Sequence, residues 1–416
     1  MTLGEKSLAL ASNIDRVAPG QIITAKVDLC MTNDATAHIS IDVFENELKN
    51  KRIFDNKKVI FVVDHNIPSE SVKTAEGQKR MRCFAKKHMV NYYEGDGVCH
   101  QIMIENHVVP GQLIVAADSH TCSYGALGAF GVGVGSTDFT AAMNTGEIWL
   151  MVPETIKFVL KGRFKENVYA RDLILKIIGD IGSNGANYKI MEFSGPAIKD
   201  LTINDRIVLC NMAVEAGAKT ALIEPDKRTI DYIESMGRAP LHLIKSDDDA
   251  KYEKIFQYNL SEIESMVAKP HFVDNVCKIS DLDSINIDQC FVGSCNNGRI
   301  DELRVVANIL KGQKIKSGVK FLISPASKKV YLQAIEEGLI DIFIDSGAMV
   351  MNPNCSVCWG GCQGVIGKGQ TLISTGTRNF KGRSGHAESY VYLASAASVA
   401  ASALTGKITD SRRLPF

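Results

Sequence analysis

One local pattern recurs along the chain: a short apolar run that stops at a polar, Gly-bearing loop. "KVIFVVDHN", "QLIVAADSH", "QCFVGSC", "VKFLISPAS" and "QTLISTGTR" are its clearest instances. Apolar runs without polar alternation belong to strands covered on both faces, and several of these are followed by helical spacing. Together they predict an α/β fold with parallel sheets. At 416 residues the chain is too long for one ordinary core. The expected division is a first α/β domain over 1–156, a middle α/β domain over 157–279 and a third over 280–416. The middle region is set apart by more charge, including "SDDDAKYEK".

The last third can be ordered from sequence alone. "DQCFVG" reads as a buried strand, and Ile300, Leu303, Val306 and Leu310 give a helical face that ends at Gly312. The strand "VKFLIS", a helix over "SKKVYLQAIEEGL" and the strand "GAMVM" follow, and then a loop with Cys355, Cys358 and Cys362. The strand "QTLIST" then runs into "GTRNFKGR". In an open parallel sheet such loops emerge at the carboxyl edge, so Cys295, the second cysteine group, Arg378 and Arg383 can converge.

Lysine plus arginine equals aspartate plus glutamate, 47 each, so no net field draws nucleic acid or an anionic membrane. No apolar stretch is long enough to span a bilayer, and the start, "MTLGEKSLALAS", lacks a signal-peptide pattern. A cytoplasmic protein is expected. Eleven cysteines, an odd number scattered through the elements, argue for reduced thiols and against a disulfide framework.

"NPNCSVCWGGC" packs three cysteines into eight residues. With Cys295, the Cys355–Cys358 pair offers three thiolates, and Cys362 a fourth. Structural zinc wants four closed ligands in two short pairs, and the Cys295 loop brings only one cysteine. A redox C-x-x-C pair opens a helix, for which "SVCWGGCQG" is too glycine-rich. A cubane iron–sulfur cluster takes thiolates from separate loops, and three of them leave one iron open for chemistry. Simple burial, the usual fate of a lone cysteine, fits a triple poorly.

Other polar groups follow the apolar runs. Asp64 and His65 lie past one, Asp118, Ser119 and His120 past another, and "GVCHQ" adds His100. A single acid–histidine pair is often a satisfied turn, whereas two pairs with a third histidine suit imidazoles oriented toward an acidic substrate or an activated water. Sequence neighbours point apart, so Asp118, Ser119 and His120 cannot form a hydrolase triad. "GAFGVGVGSTD" lacks the third glycine of a dinucleotide fingerprint and reads as a tight backbone crossing. Glu192 in "MEFSG" is a candidate general acid or base, or a strand-end carboxylate. Arg378 and Arg383 share a loop, and arginine forks match carboxylates.

In order, "VDHN", "GVCHQ", "AADSHT", "GVGSTD", "GSCNNGR", "NPNCSVCWGG" and "RNFKGR" resemble the aconitase family across nearly the whole chain, and more closely the large subunits of its two-subunit isopropylmalate dehydratases and homoaconitases. The resemblance implies three α/β/α domains around a 4Fe-4S cluster bound by Cys295, Cys355 and Cys358, with Cys362 a neighbour and not a ligand. It implies a hydro-lyase that isomerises a hydroxy-dicarboxylic acid, with 3-isopropylmalate the leading substrate. Homoaconitate, dimethylmalate, citrate and methylcitrate are the alternatives, and an iron–sulfur regulator that binds RNA is the non-enzymatic one. On the same resemblance Asp64, His65, His100, Asp118 and His120 form an acid network and Glu192 touches the iron-bound water. Asn33, Asp34 and Ser119 lie at the substrate, and Arg378 and Arg383 clamp carboxylate. The base, a serine on a swivelling domain, would come from a small partner subunit, because the chain ends at Phe416. The chain departs from the family pattern at Asn33, Asn296, Ser356-Val357 and Thr377.

Overall fold

Residues 1–414 are described by the computed structural model, apart from the side chain of Ser356; the chain end at Phe416 lies outside the described residues. Each apolar run becomes a buried strand. In Val59–Val63 ("VIFVV") all five residues are buried, as the uninterrupted run requires of a strand covered on both faces. Burial of each such side chain contributes about 1.5–3 kcal/mol.

Three parallel sheets carry the architecture. The first has the strand order Asn91–Glu94, Val59–Val63, Leu29–Asn33, Leu113–Ala116, Phe130–Gly133. The second runs Thr220–Ile223, Ile190–Ser194, Thr155–Lys161, Lys254–Asn259. The parallel part of the third is Tyr390–Leu393, Thr371–Ser374, Gln289–Val292, Lys320–Ile323, Met349–Val350. It gains two antiparallel strands on the Tyr390–Leu393 side, Met266–Ala268 and Val276–Lys278. Sequence had placed those two in the middle region; their pairing with Tyr390–Leu393 moves the start of the third sheet to Met266, ahead of the expected boundary at 279/280. A separate antiparallel ribbon joins Ile22–Lys26 to Glu147–Met151.

The first and third sheets are built alike. In the parallel part of each, the chain starts at the central strand, adds two strands outward on one side, then crosses over to add two on the other. The point where the order reverses leaves a crevice at the carboxyl edge. In the first sheet it lies between Leu29–Asn33 and Leu113–Ala116, and in the third between Gln289–Val292 and Thr371–Ser374.

Helices follow the predicted faces: Ile300–Leu310 buries Leu303, Val306 and Leu310. Sequence missed the short helix Leu339–Ser346, which follows Gly338 at φ 70°, a left-handed conformation that ends the preceding helix Lys328–Glu336. The glycines of "GAFGVGVG" act as the predicted crossing. A Cβ on Gly131 would lie 2.1 Å from the Thr121 carbonyl oxygen, and one on Gly133 2.5 Å from that of Asp118, so the turn that carries Asp118 to Thr121 rests directly on this strand. Gly131→Ala is therefore expected to cost about 1–3 kcal/mol. Gly135→Ala, with nothing within 4 Å of its Cβ, should change stability by less than about 0.5 kcal/mol. Urea unfolding midpoints check both, and equal midpoints would remove the crossing from the account.

Candidate active site

The carboxyl-edge loops of the first and third sheets enclose a cavity of about 210 Å³. Its wall includes Asn33, His65, His100, Asp118, Ser119 and His120 from one side and Cys295, Cys355, Cys358, Arg378 and Arg383 from the other. Of the fourteen predicted site residues, eleven line this cavity and Asp64 lies directly behind them.

Three carboxylate–imidazole pairs organise it. Asp64 accepts from His65 Nδ1 at 2.7 Å and from the Cys99 amide at 2.6 Å. That leaves His65 Nε2 for the cavity. Burial pushes the His65 imidazole down, but the Asp64 and Asp34 carboxylates outweigh it and lift its pKa to about 9. Asp118 accepts from His100 Nε2 at 2.8 Å, from the His120 amide at 2.8 Å and from Asn33 Nδ2 at 2.9 Å. Burial pushes the Asp118 carboxyl up, yet His100 and these donors hold it well below the usual carboxylate range. His100 Nδ1 is then free to accept from the buried Tyr124 hydroxyl at 3.0 Å.

The third pair uses a residue the sequence reading missed. Glu215 accepts from His120 Nε2 at 2.9 Å and from Arg378 Nε at 2.8 Å, while Arg378 Nη2 donates to Ser119 Oγ at 2.9 Å. Burial pushes Glu215 up, but His120 and Arg378 bring its pKa below the usual value. Nothing in "NMAVEAGAK" marked this glutamate, which follows a helix of the middle sheet and not an apolar strand.

Two assignments are corrected. Glu192 does not reach the cavity. Within its strand it faces the helix Leu3–Ser12, where it accepts from the Leu3 amide at 3.2 Å, Ser246 Oγ at 3.0 Å and the Tyr252 hydroxyl at 2.7 Å. A carboxylate at a helix N-terminus is stabilised by the exposed amides there, so Glu192 is structural. Asp34 does not line the cavity either. Its oxygens accept from the amides of Asp64, His65 and Asn66 at 2.9–3.0 Å, which holds the acid loop in place.

The thiols sit in a built frame. The Cys355 amide donates to the Asp64 carbonyl at 2.8 Å, so the two sheets meet through backbone. Asn211 Nδ2 donates to Cys295 Sγ at 3.3 Å, and Thr377 Oγ1 lies 3.5 Å from Cys358 Sγ. A hydrogen bond between Cys355 and Cys358 pushes the Cys355 thiol up and holds Cys358 well below the ordinary thiol value. Cys362 does not line the cavity; its sulfur points to the Ile67 and Pro68 carbonyls. Cys99, which does line it, went unpredicted. Its Sγ lies with the His100 and Asp118 ligand atoms within 4.8 Å of one another, although His100 Nε2 and Asp118 already bond to each other.

Arg299, 2% exposed, staples the Cys295 loop from below. It donates to the carbonyls of Cys295 and Asn296 at 2.7 Å each and to Gln101 Oε1 at 2.9 Å. Asn296, one of the departures, turns away from the cavity: its Oδ1 accepts from Arg171 and its Nδ2 donates to Val208 O and Asn211 Oδ1. Arg383 keeps its guanidinium 5.6 Å from the ring centres of Trp359 and Phe380, with no hydrogen bond to protein among the described residues. The donor set, three buried thiols on two loops with Asn211 and Thr377 at two of the sulfurs, fits a thiolate-bound metal group.

Fold and site together define a carboxylate- and imidazole-lined cavity beside a cradle of three thiols, on two switch-point sheets. The pattern of the aconitase family (aconitate hydratase) matches residues 10–284 and 278–406, and the chain belongs to that family, whose members point to an iron–sulfur cluster. Among its relatives, the 3-isopropylmalate dehydratase large subunit of Hydrogenobaculum sp. is 48% identical over 98% of this chain and 96% of its own length. A large subunit of the same name from Pyrococcus abyssi is also 48% identical, over 99% and 98%. Aconitase X of Thermococcus kodakaraensis shares the fold, with a TM-score of 0.50 at 14% identity over 91% of this chain and 89% of that one. Among the described residues no helix is long and apolar enough to cross a membrane.

Arg299→Met strands two buried carbonyls and is expected to cost about 3 kcal/mol. Amide exchange of residues 295–299 should rise, with the strand Val59–Val63 unaffected. Unchanged exchange in the loop would show that the staple is idle.

Proposed function

We propose that this chain is the large, cluster-bearing subunit of a hydro-lyase that isomerises 3-isopropylmalate by dehydration and rehydration. One observation carries the reading: three buried thiols on two loops face a cavity shared with an imidazole whose Nε2 is unspent and an arginine whose guanidinium is unspent. The names of the relatives support the substrate.

Cys295, Cys355 and Cys358 would hold a 4Fe-4S cluster, which when bound supplies a Lewis acid for a substrate hydroxyl. His65 holds the proton that leaves with that hydroxyl as water. Asp64 fixes the imidazole by its bond to Nδ1, so Nε2 is the nitrogen presented. His100 and His120 are both locked by carboxylates and shape the polar wall on which water and hydroxyl rest. Arg383 receives a substrate carboxylate, and Arg378 with Ser119 forms a second polar contact that Glu215 keeps in register. The carbon-bound proton leaves to a base that this cavity does not present. A serine of a small partner subunit supplies it, and the same subunit selects the substrate side chain.

Anaerobic reconstitution of the chain with its small subunit should give hydration of isopropylmaleate in preference to other alkene diacids, and the chain alone should give none. No turnover on any diacid would end the enzymatic reading. Cys358→Ser should abolish the brown iron–sulfur absorbance while Cys362→Ser keeps it; loss from both would mean the ligand set is wrong. Glu215→Gln should lower kcat by about 10²-fold, since it frees His120 and Arg378 together. Glu192→Gln should lower thermal stability and leave kcat and KM alone.

A further inference from the structure

A second cavity, of about 190 Å³, shares no lining residue with the first. It forms where four helices begin: Ala170–Ile181, Ile203–Met212, Ile300–Leu310 and Ala396–Thr405. Those helix ends are already capped, by Asp172 on the Tyr169 amide, Thr202 on the Asp205 amide, Glu302 on the Arg299 amide and Ser395 on the Ser398 amide. They do not call for an anion.

Besides one donor, Arg171 Nε, the unspent groups are acceptors. Asn297 is 3% exposed and its Nδ2 donates to Glu302 Oε1 at 3.1 Å, but its Oδ1 has no partner. Asp205 spends only Oδ2, on the Thr202 amide and hydroxyl, and its Oδ1 accepts nothing among the described residues. Asp301 and Glu302 also line the wall but are spent, Asp301 on Arg304 at 3.1 Å and Asn204 Nδ2 at 2.6 Å, and Glu302 on Asn297 Nδ2 and the Arg299 amide; among the described lining residues the cation is Arg171. The remaining wall is apolar, with Val208, Val305, Ala396 and Ala397. At ~30 Å³ per water-sized group the cavity holds about six such groups.

We propose that this cavity binds a small molecule carrying a primary ammonium on a short apolar body. An ammonium has three donors and no acceptor, which suits the Asn297 and Asp205 oxygens, while the Asp205 carboxylate balances its charge. The same chemistry comes as a plain amine or as an α-amino acid, whose carboxylate would use the unpartnered Arg171 Nε. Such an occupant ties the Cys295 loop, through Asn297, to the helix Ile203–Met212, whose Asn211 bonds Cys295 Sγ. It therefore stiffens the thiol frame from outside the active site.

Calorimetric titration of the full chain with isobutylammonium, L-valine and isobutanol tests this, with soaked crystals to locate the density. At least one of the two ammonium compounds should bind and isobutanol should not. Val305→Phe, which fills the cavity, and Asp205→Asn, which keeps the cap and removes the charge, should each raise Kd at least about tenfold. Should Val305→Phe fail to fold, Asp205→Asn decides. No binding by either ammonium compound, equal binding by isobutanol, or density for ordered water only at Asn297 would overturn the proposal.

Discussion

Asp64 joins the two halves of the site. Its carboxylate holds His65 Nδ1 and the Cys99 amide, and its carbonyl accepts the amide of Cys355, some three hundred residues later. One residue thus sets the ring face that the imidazole shows to the cavity and the position of the thiol opposite it. The residue is fully buried, and a buried carboxylate persists only when its lone pairs are spent. Asp34 supports it from behind by pinning three successive amides of the same loop, and Asn66, the last of them, accepts from Trp359 Nε1 at 3.2 Å. Displacement at any of these points moves acid and thiol together.

Sequence carried most of the fold, for a physical reason. Strands covered on both faces must be continuously apolar, so their ends are sharp in the text, and the residues just past those ends are the ones a parallel sheet delivers to its carboxyl edge. Asp64, His65, Asp118, Cys295 and Cys355 were all readable this way, whereas Asn33 came only from the family resemblance. Glu215 was not, because it follows a helix and nothing in its neighbours distinguishes a buried partner of His120 from a solvated acid. Glu192 misled for the converse reason: it lies on an apolar strand, but within the strand, where the two-residue alternation decides its direction and here turns it to the Leu3–Ser12 helix. Asp34 was placed correctly in space and wrongly in role, since backbone amides as partners leave no trace in sequence. The boundary at 279/280 was late because Met266–Ala268 is too short to announce the sheet it joins.

The two switch-point sheets show no repeated sequence, yet they share a strand order, and the shared order explains the division of labour. In the first sheet the crevice places Asn33 against Asp118, 2.9 Å apart through Asn33 Nδ2. In the third it places the Cys295 loop beside Gly376 and Thr377, with Thr375 Oγ1 accepting from the Gly293 amide at 3.0 Å. Each crevice opens at a carboxyl edge, and facing edges enclose one cavity with proton-handling groups on one wall and soft ligands on the other. Cys99 apart, the thiols of the cavity are on one wall and its imidazoles on the other, so the site as a whole needs both domains.

Two buried arginines back the thiol wall. Arg171 and Arg299 are at most 2% exposed, and neither makes a close carboxylate contact: Arg171 donates to Asn296 Oδ1 and the Gly376 carbonyl, and Arg299 has Glu302 only at the edge of ion-pair range, 4.0 Å away. Buried charge without a counter-charge is expensive. Burial pushes Arg171 down to about 10, and the opposing pull comes first from Cys358. Burial pushes the Cys295 thiol up and the Cys358 contact pushes Cys355 up, while Cys358 is held low, so the sulfur poised to ionise is that of Cys358, whose thiolate in turn offsets the buried charge of Arg171.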